Sequence, residues 1–120
     1  AALALAPLVL VAWADNDVGL KEHETIMHVA EEVGLKPGNE AHDLLFDWML
    51  SPPSATLLPV WEAFTKSFIA KLDDQARVAL RDEVMGRARR VAEAQGGIFR
   101  FGRISSAESA MLDRIALVLS

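Results

Sequence analysis

The acids of "AWADNDVGLKEHE", residues 12 to 24, pose the main chemical question in this sequence. Asp15 and Asp17 flank Asn16 where an apolar run stops, and Glu22 follows in what reads as the first turn of a new helix. Carboxylates at such a corner can hold a cation. They can also serve the junction itself, by accepting hydrogen bonds from the backbone N–H groups that a helix leaves unsatisfied at its start. The EF-hand form of a cation loop is excluded. Counting from Asp15, its twelfth position is Ile26, where a bidentate glutamate is required.

A second stretch echoes the first. "DNDVGLKEHETI" set against "FGRISSAESAML" aligns Val18 with Ile104, Glu22 with Glu108 and Ile26 with Leu112. In each copy an apolar residue stands four before a glutamate, and a helix follows. The second copy contains a capping box: Ser105 accepts from the amide of Glu108, whose carboxylate reaches back to the amide of Ser105. The first copy uses Gly19 as N-cap with Glu22 at the third position. Val18 and Ile104 anchor the incoming chain as hydrophobic staples. A cap of this kind contributes roughly 1 kcal/mol, a structural account of both glutamates that needs no metal.

Other constellations carry less. His23, His28 and His42 lack the zincin spacing and the paired Glu-x-x-His motifs of di-iron bundles, so they read as solvated surface residues. "GGIFRFGR" is rich in glycine and arginine, but it lacks the Walker lysine and no strand precedes it. There Gly96 and Gly97 stop a helix, and Ile98, Phe99 or Phe101 cover the core. The "RARR" run at Arg87 to Arg90 reads as a solvated helix face, and Trp13, Trp48 and Trp61 as core anchors. No serine lies in a recognisable nucleophile motif, no nucleophile–base pair can be assigned, and the chain is read as non-enzymatic.

The elements that must position these residues are helical throughout. Apolar residues recur three or four apart, and no segment alternates with period two. Helix one covers roughly residues 2 to 14 and is apolar on all sides, with Pro7 marking a kink or a start. Helix two runs from about Leu20 to Val33 with Gly34 closing it. Helix three follows Asn39 as N-cap, buries Leu44, Leu45, Trp48 and Met49, and ends at "SPPS". Helix four starts near Ser54 or Thr56, keeps Pro59 in its first turn, and buries Leu57, Trp61, Phe64 and Phe68. Helix five opens at Asp73 and runs to about Gln95, with acids at its start and arginines toward its end, as the helix dipole favours. Helix six runs from Ser106 to about Leu119, with Met111, Leu112, Ile115 and Leu119 inward.

A chain of 120 residues with 52% apolar composition can bury one core, and residues 1–120 read as a single domain. With no cysteine, disulfides, thiol catalysis and cysteine-ligated zinc or iron–sulfur clusters are excluded, which fits a reducing, cytoplasmic setting. A net charge of −5 argues against a nucleic-acid partner. The charge is uneven: acids dominate from Asp15 to Asp47 and arginines from Lys66 to Arg103. One face then attracts cations or basic partners, or the two halves attract each other across the fold. The opening "AALALAPLVLVAWA" is too short to span a bilayer and matches a secretory signal poorly. The absence of an initiator Met suggests a fragment of a longer chain.

The two stretches together resemble the signatures of the TerB-like family, named for tellurite resistance. "AWADNDVGLKEHETIMHVAEEVGL" is similar to the first signature: an apolar helix, Ala-Asp-Gly, an apolar residue, and a glutamate opening the next helix. "GGIFRFGRISSAESAMLDRI" is similar to the second. The resemblance implies a compact all-α bundle of about six helices with two pseudo-symmetric halves. It also implies an acidic divalent-cation site and a place in stress-associated or membrane-associated assemblies. Carried over residue by residue, Asp15 matches the family aspartate and Glu22 the glutamate. Asn16 stands where glycine is usual and can adopt the same left-handed conformation. Asp17 adds an acid. Glu108 matches in the second copy, whereas Phe101 replaces the aspartate, so a symmetric site loses one ligand. The implied ligand set is Asp15, Asp17, Glu22 and Glu108, whose hard oxygens suit Ca²⁺ or Mg²⁺ held weakly. The implied partner is a protein, with association at the inner membrane face a further expectation. The alternative is a structural, metal-free interaction domain whose acids only cap helices.

Overall fold

The computed structural model describes residues 2–16, 18–94 and 104–120. Six α-helices follow one another: α1 (Ala6–Ala12), α2 (Leu20–Glu32), α3 (Glu40–Leu50), α4 (Leu57–Ile69), α5 (Asp74–Ala94) and α6 (Ser106–Val118). No strand occurs among the described residues. The architecture is the all-α bundle of about six helices that the periodicity predicts.

The N-terminal apolar run is the centre of the bundle. Every residue of α1 is buried, and α2 to α6 all pack on it. A helix apolar on all sides has nowhere else to go. It is shorter than expected because both ends tighten into 3₁₀ turns, Ala2–Leu5 before it and Trp13–Asp15 after it. Pro7 lies in its first turn, where a missing N–H costs nothing, so the proline starts the α-helix rather than kinking it.

The remaining boundaries follow from their caps. Asn39 Oδ1 accepts from the amide of Ala41 at 2.8 Å and starts α3. Asp73 Oδ1 accepts from the amide of Ala76 at 2.7 Å and starts α5. Pro59 falls in the first turn of α4. The end of helix five at Gly96 and Gly97, and the covering role of Ile98, Phe99 and Phe101, lie outside the described residues.

Two expectations about the buried faces are corrected. On α3, Leu45 and Met49 are buried, but Leu44 is exposed and Trp48 only half-buried. On α4, Leu57, Trp61, Thr65 and Ile69 face inward, while Phe64 and Phe68 are 50% and 47% exposed. The buried stripe follows a strict i+4 spacing, so it accepts Thr65 and turns the two phenylalanines toward solvent.

Candidate functional site

The echoed motifs come together at one corner of the bundle. After α1 the 3₁₀ turn ends at Asp15, and Asn16 takes the left-handed conformation (φ 66°), with its amide bonded to Trp13 O at 2.8 Å. That is the geometry expected of an asparagine standing in for glycine. Val18 packs against the core, as Ile104 does in the second copy.

Glu22 lies in the first turn of α2. Its Oε1 accepts from the amide of Gly19 at 3.0 Å, which is half of a capping box, since glycine has no side chain to return the bond. In the second copy the box is complete. Glu108 N donates to Ser105 Oγ at 3.1 Å, and Ser105 N donates to Glu108 Oε1 at 3.2 Å. The Ser105 hydroxyl then donates to Asp15 Oδ1 at 2.7 Å. The Ser105 hydroxyl thus caps α6 and ties it to the end of the α1 turn, 90 residues away in sequence. The serine is visible in the sequence as a cap, but nothing local announces its bond to Asp15.

Both glutamates are fully buried, at 0% exposure. Burial pushes the Glu22 carboxyl up to about 8, and the adjacent Glu108, by its charge and by a hydrogen bond, and Asp15 push the same way against the lowering effect of the Gly19 amide. No donor faces Glu22 Oε2, which is buried. A proton on that oxygen resolves the conflict, because it turns Oε2 into a donor to Glu108. Near neutral pH Glu22 is therefore held as the neutral acid, beside the side chain of Glu108. Each of the two comes from the first turn of a different helix.

The fit to a metal is mixed. Glu22, Glu108 and Asp15 supply hard oxygen atoms, and Glu22 Oε2 is a buried acceptor without a donor. Yet no three His, Cys, Asp or Glu side chains among the described residues are grouped as a metal site. Asp17, the fourth implied ligand, lies outside the described residues, as does Phe101.

The histidines are less uniform than expected. His28 lies 3.3 Å from Glu32, and His42 3.4 Å from Asp43. His23, however, has a buried Nε2 without a partner, and its ring meets Phe46 edge-on at 5.2 Å. This departs from a solvated surface role. In the "RARR" run, Arg87 pairs with Glu83 at 2.6 Å and Arg90 with Glu32 at 3.2 Å. The second contact joins the basic half to the acidic half across the fold. Trp61 is buried, while Trp13 and Trp48 are half-buried and linked by a 2.7 Å bond from Trp13 Nε1 to the Trp48 carbonyl. No described helix is long and apolar enough to cross a membrane.

No family model, curated protein or solved structure matches the chain.

Proposed function

We propose that this chain is a non-enzymatic, TerB-like interaction module of the stress and tellurite-resistance type. Its acidic corner takes up a divalent cation weakly, in competition with a proton, and its surface engages a protein partner, including one at the inner face of a membrane. What carries the reading is the buried Oε2 of Glu22, set beside Glu108 with no donor facing it. Glu22, Glu108 and Asp15 would hold the ion, and Asp17 follows Asp15 two positions on in the sequence. A bound Ca²⁺ or Mg²⁺ would supply the positive charge that the proton otherwise supplies.

A second reading keeps the corner metal-free, with the acids as caps. Its support is that each glutamate already accepts from a backbone amide of its own helix start. Thermal unfolding of the metal-free chain, titrated with Ca²⁺, Mg²⁺, Mn²⁺ and Zn²⁺ beside Asp15→Asn, separates the two. A saturable rise in Tm that the variant loses supports the cation site, because a ligand bound only to the native state stabilises it by mass action. A flat response in the wild type leaves the capping reading and sinks the first.

A further inference from the structure

We propose that the outer face of α4 is the interface of a symmetric dimer of this chain. Val60, Phe64 and Phe68 stand at successive i+4 positions and are 51%, 50% and 47% exposed. The Phe64 and Phe68 rings stack on each other at 6.3 Å. Ala63 and Ser67 complete the same face and are also exposed. The five residues include no ionisable group, and a charge-free apolar strip on an exposed helix marks an interface centre rather than a solvated surface. Their spacing of alternating three and four residues is that of a helix seam, and the two small residues let a second helix approach closely.

A second copy fits this face because its two ends are complementary. Beside Val60 opens a cleft of about 550 Å³ whose lining includes Leu44, Trp48 and Leu57, with Glu40 as its only charged residue. Beside Phe68 lies an apolar slot of about 300 Å³ lined by Trp61, Leu80 and Val84. The slot shares Leu119 with a groove in which Arg77 and Arg81 outnumber Asp74. A two-fold axis near Phe64 runs the paired helices antiparallel, so the Phe68 end of each copy meets the Val60 end of the other. Each copy then offers an aromatic ridge to its partner's cleft, and the Glu40 of each cleft faces the end that carries Arg77 and Arg81 in the other copy. Such a contact is isologous and closes at two copies.

Sedimentation equilibrium over a range of concentrations tests this. The wild type should move from 13.1 kDa toward twice that mass, and Phe64→Glu should stay at 13.1 kDa with an unchanged far-ultraviolet circular dichroism spectrum. The chain has no cysteine, so Ala63→Cys near the axis should oxidise to a disulfide-linked dimer, whereas Asp82→Cys on α5 should not. Three results would each overturn the proposal: a single 13.1 kDa species at every concentration, a dimer that persists in Phe64→Glu, or cross-linking at Asp82→Cys equal to that at Ala63→Cys.

Discussion

The buried acid pair makes stability depend on pH in an unusual direction. Glu22 binds its proton more tightly in the folded chain, with a pKa of about 8, than in the unfolded chain, where the ordinary value is 4.5. Its contribution is therefore fully present below the unfolded value and is lost as pH rises through the folded one. At about 1.36 kcal/mol per pKa unit, the whole displacement amounts to about 4–5 kcal/mol, a large part of the 5–15 kcal/mol typical of a domain. Urea unfolding at a series of pH values from about 5 to about 9 measures it. The midpoint should fall steadily across that window, most of the loss coming before the curve levels above the folded pKa. Glu22→Gln provides the control. Its amide oxygen still accepts from Gly19, and its amide nitrogen donates to Glu108 at every pH, so the loss should vanish. His23, His28 and His42 are present in both proteins, so the difference between the two profiles isolates the glutamate. A wild-type profile that is flat, or one that Glu22→Gln reproduces, would refute the shared proton.

Ser105→Ala removes the α6 cap and the tie to Asp15 together. It should cost about 1–2 kcal/mol in chemical denaturation, toward the upper end of the range for a cap. Trp13→Phe leaves the Trp48 carbonyl without its donor and should cost about 1–3 kcal/mol by the same assay.

The helices were legible in the sequence because their signals are local. Asn39, Asp73, Ser105 and the paired glutamates start helices where their side chains can reach a backbone amide, and "SPPS" stops one. The burial of α4 was harder to read. Trp61, Phe64 and Phe68 fit one apolar stripe, and Leu57, Trp61, Thr65 and Ile69 fit another. Sequence spacing favours the aromatics, but the packing of α4 on α1 and α6 selects the second. At the acidic corner, the pairing of Glu22 with Glu108 follows from the echo. The Asp15–Ser105 bond does not, since it spans 90 residues and depends on how the bundle closes. The burial of the His23 ring edge against Phe46 is likewise set by the approach of α3 to α2.

The central position of α1 has a consequence for how the chain comes to be folded. The helix precedes the five α-helices that pack on it, and two of them, α5 and α6, come last of the six. During synthesis its apolar surface emerges before these five helices and waits for them before it can be covered. Contacts between such distant segments slow folding, and exposed apolar surface in the interval invites aggregation. The segment that becomes the best-protected part of the native bundle is thus a vulnerable part of the nascent one, and a chaperone that holds nascent apolar segments would find a site at residues 6–12.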